Sequence, residues 1–316
     1  MNTSPKSKHE NGSGLLSHPE QLSGNTKHSS VYDRITERVI ELLMQGTIPW
    51  HKPWNVQRGF PRNVVSKKAY RGINVFLLHA MNYESPFWLT FHQAQQLGAN
   101  VRKGEKACPV VFWKHHETED KHTGEKIKIP LLRFYYVFNV AQCEGINELP
   151  DPATVTAPAK PAEIVANMPQ RPGIKHGMAQ AYYSPLEDVV GMPNRERFTS
   201  EADYFSALYH ELTHSTGAAS RLNRTTITEA NSFGSEDYSK EELIAEMGAA
   251  LLCGQAGIVE RTLNNSAAYL QNWLKALQND KTLIVQAAAQ AQKAADFILG
   301  TKFEEPAAEP KEAVTA

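Results

Sequence analysis

The chain of 316 residues is poor in cysteine: Cys108, Cys143 and Cys253 lie far apart, with no C-x-x-C pair. That excludes a disulfide framework and a cysteine-based zinc knuckle, and it fits a reducing cytoplasm. Long apolar runs are missing too. No segment approaches the roughly 18 apolar residues of a membrane span, and no basic stretch at the amino terminus leads into the apolar run of a secretion signal. The expectation is a cytoplasmic protein with no membrane partner. Net charge is also lacking: 33 Lys and Arg against 34 Asp and Glu give -1, so any signal for nucleic acid has to be local.

What is present divides the chain. Residues 1–30, rich in Ser, Asn, His and Gly, lack apolar periodicity and read as a disordered tail, as do residues 301–316 with their Pro, Glu and Ala. A first domain is expected over 31–148, a Pro- and Ala-rich linker over 149–165 and a second domain over 166–300. Apolar residues at helical spacing (Ile35, Val39, Leu42, Leu43) open the first domain near Asp33. Short helices over 74–81 and 90–97 follow, then strands over 109–114 and 131–140 joined by a turn over 115–124. In the second domain, short strands over 181–184 and 188–192 precede helices over 201–216, 240–256, 266–278 and 281–299.

The stretch from Ser200 to Gly217 carries helix punctuation: Ser200 to cap, Asp203 three residues on, Phe205, Leu208 and Leu212 as an apolar stripe, and Gly217 as the stop. Within it His210, Glu211 and His214 spell H-E-x-x-H. The four-residue spacing turns both imidazoles to one helical face, where they can grip one ion, and Glu211 can reach a water on it as general base. Catalytic zinc takes three protein ligands and keeps one position open. Glu242 is the expected third ligand and Glu246, one turn on, the carboxylate that orients a histidine N–H; the reverse order and Glu241 stay open. Two histidines and a carboxylate suit one divalent metal, Zn2+ by default, while Mn2+ or Co2+ fit the same donors. The plain alternative is a chance H-E-x-x-H on a surface helix, which the caps, the stripe and the downstream E-x-x-x-E oppose. As oxyanion donors Tyr238 and His176 are conceivable, and the strand near Tyr182 to Ser184 can serve as an edge that aligns a peptide.

From His51 to Lys114 the sequence holds 10 basic residues and two acidic ones. Tryptophans and tyrosines interleave with them, a mixture that suits unpaired bases and phosphates. Candidate DNA-contacting residues are Trp50, Trp54, Lys67, Lys68, Tyr70, Arg71, Trp88, Arg102, Lys103 and Lys106. Phe76 and Trp113, inside apolar runs, are expected in the core. The competing reading is that the rings fill a small core and the charges coat a surface.

Taken together, PWHKPW (49–54), KKAYRGIN (67–74), SPFWLTFHQAQQLGANVRKGEKACPVVFW (85–113), FNVAQCEGI (138–146), YHELTHSTG (209–217) and EELIAEMGAALL (241–252) resemble ArdC-type antirestriction proteins of conjugative plasmids. The resemblance runs from about residue 31 to 300, and its amino-terminal part also resembles the front of plasmid TraC-type primases. It implies an α+β fold: a mixed α/β amino-terminal domain that binds single-stranded DNA, followed by a mainly helical zincin-like metallopeptidase domain. It further implies protection of incoming plasmid DNA from host restriction, with His210, His214 and an acidic residue of EELIAE at the metal and Glu211 at the catalytic position. The partners implied are single-stranded DNA and a protein substrate, with a component of the host restriction system as one candidate. Two other functions compete: a coating protein whose metal is structural, and a peptidase for proteins lodged on DNA.

Overall fold

The computed structural model describes residues 30–51, 59–119, 126–146, 149, 159–229, 236–258 and 267–301. Trp54, most of the two proposed tails and residues 151–158 of the proposed linker lie outside them. The fold is α+β. Helix α1 (Val31–Met44) starts in a reciprocal cap between Ser30 and Asp33, and its apolar stripe, Ile35, Val39, Leu42 and Leu43, is buried. After it come β1 (Arg62–Asn63), α2 (Ile73–Ala80), β2 (Phe87–Leu89), α3 (Phe91–Gln96) and β3 (Asn100–Val101). The long strands β4 (Cys108–Glu119) and β5 (Lys126–Asn139) pair antiparallel from Cys108 opposite Val137 to Glu119 opposite Lys126, and β6 (Cys143–Glu144) returns to β3.

The main sheet runs β1-β2-β5-β4. Its edge is blunted at one point: the Asn74 carboxamide on α2 donates to the Val111 carbonyl at 2.7 Å and accepts from the Val111 N–H at 2.8 Å, standing in for a further strand. The strands outrun the expected turn over 115–124: the ladder continues to Glu119 opposite Lys126.

Across the proposed linker, α4 (Pro161–Ala166) is a helix rather than a spacer. Pro161 sits in its first turn, and Ile164 and Val165 are buried. A three-stranded sheet, ordered β7-β9-β8, follows from β7 (Gly173–His176), β8 (Tyr182–Ser184) and β9 (Val189–Met192). Then come helices α5 (Glu201–Ser215), α6 (Thr225–Thr228), α7 (Glu236–Ala256), α8 (Ala267–Asn279) and α9 (Leu283–Ile298).

The halves share one continuous apolar core, which includes Ile35, Trp50, Phe76, Leu212, Met247, Trp273 and Ile298. Polar contacts also cross it. Thr36 donates to the Lys281 carbonyl at 2.6 Å, the Gly72 N–H donates to Gln292 at 2.9 Å, and Arg71 pairs with Asp296. A second, small core of Val64, Phe87, Leu89, Ala94, Ala99 and Val140 lies under α3. None of the three cysteines is in a disulfide. No helix among the described residues is long and apolar enough to cross a membrane.

Candidate metal centre

Helix α5 begins as its punctuation requires, with the Asp203 N–H donating to Ser200 Oγ at 3.1 Å. It ends at Ser215, and Gly217 has a different task from the stop expected of it. A Cβ there would lie 2.5 Å from Ile227, so glycine is needed for close approach of the following segment. Gly248 on α7 plays the same part against α5: a Cβ would meet Thr213 at 2.5 Å. That small contact lets the two helices close up and brings their histidines and glutamates together.

The result is a compact triangle. His210 Nε2 and His214 Nε2 are 3.1 Å apart, and Glu242 places one oxygen 3.4 Å from the first and the other 3.6 Å from the second. One donor atom from each residue falls within 4.8 Å of the others. A tetrahedral zinc site with bonds of about 2.0–2.1 Å has donor atoms about 3.3 Å apart, so the donor set fits a small divalent cation.

Glu211, one position round the helix, is buried at 8 % exposure. Burial pushes its carboxyl above the ordinary range, against the opposing pull of His210 and His214, and the Tyr183 backbone N–H donates to it. Because β8 is the edge of its sheet, that N–H places the strand's free side along the cluster. Burial also works against charge at His210, yet the bond to Glu242 and the nearby carboxylates prevail and raise its pKa. Glu242 is disfavoured as an anion by burial but is held low overall by the two histidines, and the Tyr238 hydroxyl bonds to it. His176 is engaged with the Tyr204 hydroxyl at 3.0 Å.

The carboxylate that meets His214 Nδ1 is Glu241, not the expected Glu246. With His214 Nε2 turned to the triangle, its Nδ1–H donates to Glu241 Oε1 at 3.2 Å. Arg224, only 6 % exposed, donates to both Glu241 oxygens and to the Thr213 carbonyl and Thr216 hydroxyl, and Thr226 adds a further donor. Burial would raise the Glu241 pKa, but these donors bring it down to about 2. Arg224 escaped the sequence reading because it lies in the polar stretch before α6, where no spacing rule points to it. Glu246 meets other partners: Trp50 Nε1 donates to its Oε2 at 2.9 Å, Tyr269 donates to the same oxygen, and His51 Nε2 lies 3.3 Å away.

The basic aromatic stretch separates into two groups. Trp50, Trp88 and Tyr70 are buried at 1 %, 2 % and 9 % exposure, so none offers a face to a base. Trp50 packs edge-on against Trp273 and Trp88 against Tyr83, which is core packing. Arg71 is committed to Asp296. Lys67, Lys68, Lys103 and Lys106 are exposed, as is Arg102, which also holds Glu105 and the Ala141 carbonyl. Phe76 is fully buried as expected, whereas Trp113 is 48 % exposed, because β4 runs out past the core: burial falls from Val110 through Val111 and Phe112 to Trp113 and Lys114.

A family model described as N-terminal domain of anti-restriction factor ArdC matches residues 29–138, and one described as Zincin-like metallopeptidase matches 163–290. The crystal structure of antirestriction ArdC from the R388 plasmid, in its metal-free form, superposes with a TM-score of 0.69 at 39 % identity, covering 85 % of this chain and 96 % of that one. The chain belongs to the ArdC antirestriction family. The Mn(II)-bound form of the same ArdC gives a TM-score of 0.70 at 37 % identity, covering 86 % of this chain and 97 % of that one. An uncharacterized protein of Sinorhizobium fredii, y4eC, is 35 % identical over 85 % of this chain and 92 % of its own length. A DNA primase TraC of Escherichia coli is 37 % identical over 85 % of this chain, and the chain spans only 27 % of that protein's length. ArdC-type sequence thus also occurs inside a much longer relative.

Proposed function

We propose that this ArdC-family protein binds single-stranded DNA and carries a hydrolytic, metal-dependent peptidase site, and that it protects incoming plasmid DNA from host restriction. The observation that carries the reading is the triangle of His210, His214 and Glu242 beside a buried Glu211 whose carboxyl is pushed upward. The Mn(II)-bound relative supports a divalent cation there; zinc is the first choice for these donors, and manganese or cobalt fit them. Such a cation supplies Lewis acidity, lowering the pKa of a water toward about 7 and polarising the scissile carbonyl.

The chain's own residues supply the rest. Glu211, with its elevated proton affinity, takes the proton of the attacking water and delivers it to the leaving amine. Glu241 and Arg224 fix His214 in the tautomer that leaves Nε2 free to coordinate. The edge of β8 offers backbone groups to an extended peptide, which holds the scissile bond over the cluster.

For DNA, exposed Lys67, Lys68, Arg102, Lys103 and Lys106 supply phosphate contacts, and the exposed rings of Trp113 and Tyr136 are stacking surfaces. Trp54 remains a candidate. The presence of the same region in a protein named DNA primase favours a role at DNA, and with it the second reading: a coating protein whose metal is structural.

Glu211→Ala separates the two. Loss of protection with metal content and DNA binding retained supports hydrolysis; full protection supports coating. Metal analysis of the purified protein, with and without His210→Ala, identifies the ion.

A further inference from the structure

Next to the triangle, α7 and α8 flank an open cleft of about 300 Å³ whose lining includes Tyr238, Glu242, Glu246, Tyr269, Asn272 and Trp273. Glu242 borders both spaces. Glu246 lies one helical turn further along α7, about 6 Å along the axis. The contacts to Glu246 from Trp50, Tyr269 and His51 all fall on Oε2. Oε1 has no partner among the described residues, and the side chain, 10 % exposed, lines the cleft. A carboxylate oxygen with open lone pairs beside aromatic walls offers itself to a cationic donor, which replaces water with a charge-assisted hydrogen bond. The partly exposed rings of Tyr238 and Tyr269 favour the same guest.

We propose that this cleft is a specificity pocket for the lysine or arginine side chain of a polypeptide, with Glu246 Oε1 as the counter-ion. Its meaning for substrate choice rests on the peptidase reading of the neighbouring centre, whereas its binding chemistry does not. A long basic side chain next to the scissile bond spans the helical turn from the triangle to Glu246, and a short one falls short. A glutamate side chain meets two carboxylates, Glu242 and Glu246. A norleucine fills the same space yet leaves Oε1 unpaired, and sites built around a polar partner reject such analogues more strongly than size alone allows.

The test uses the full chain, metal-loaded and carrying Glu211→Gln so that bound peptides persist. Blocked peptides differing only by arginine, norleucine or glutamate at one position are titrated by calorimetry and tryptophan fluorescence. The arginine peptide is expected to bind at least about tenfold more tightly than the norleucine one, the worth of one charge-assisted hydrogen bond. Glu246→Gln erases the difference. Because Glu246 also anchors Trp50 and Tyr269, Asn272→Arg at the exposed rim is the second variant, expected to abolish the preference with the melting temperature unchanged. Equal affinities, no binding of the arginine peptide, or a preference that survives both substitutions overturns the proposal. Cleavage of a peptide library by the unsubstituted chain separates the claims. An arginine preference in binding without any cleavage sinks the peptidase reading alone, and cleavage indifferent to basic residues sinks the pocket alone.

Discussion

The α5–α7 pair and the basic aromatic stretch were equally conspicuous in the sequence, yet they behave differently in the fold. On α5, the spacing of His210 and His214 fixes their relative direction, because a helix has only one way to present positions four apart. In the stretch from Trp50 to Trp113, composition fixes nothing of the kind. Trp50 and Trp88 went into the core, whereas Trp113, which sits in an apolar run, faces outward. Spacing carries geometric information; a mixture of residue types does not.

The sharpest way to break this contrast is at Glu211. Glu211→Gln should lower peptide hydrolysis about 10²- to 10⁴-fold with metal content unchanged, measured by peptide cleavage alongside elemental analysis. Equal loss of metal would mean that Glu211 only supports the site. In the other region, Trp50→Ala should cost about 3–5 kcal/mol in chemical denaturation, since it empties a buried site and strips a donor from Glu246. Loss of DNA binding by a Trp50→Ala protein that melts normally would restore the stacking role.

Glu241→Gln addresses the support behind His214 and should weaken metal affinity about 10- to 100-fold, read by competition with a chelator. The same residue gives a pH test on metal-free protein. Its folded pKa is depressed from the ordinary 4.5 to about 2, so its stabilising contribution is complete above about pH 4.5 and is lost as pH falls toward 2. Acid unfolding of Glu241→Gln should be flatter over that window. The smallest effect is expected at the surface: Lys67→Ala with Lys68→Ala should leave the melting curve in place and reduce the salt slope of DNA binding by about 1–2.

Much of this centre was legible because it rests on helical periodicity: the capped start of α5, the paired histidines and Glu242 one helix later. Periodicity alone does not select Glu241 over Glu246. Successive residues on a helix point about 100° apart, and which direction meets His214 depends on how α7 is rolled against α5. That roll follows from Gly248 against Thr213, a contact between positions 35 apart in sequence. Arg224 belongs to no periodic element at all. Among the strands, β8 and β9 were readable from their apolar runs. The mostly exposed β7 was not, because three of its four residues are exposed. Helix α4 hid within a Pro- and Ala-rich stretch whose composition suits both a spacer and a first helical turn.

The bond from Trp50 to Glu246 joins positions 196 apart, and the indole also rests on Trp273 of α8. Scissors placed anywhere between them would leave an indole and a carboxylate each looking for the other in water. The two halves therefore stand or fall together, and heating should melt them in a single step.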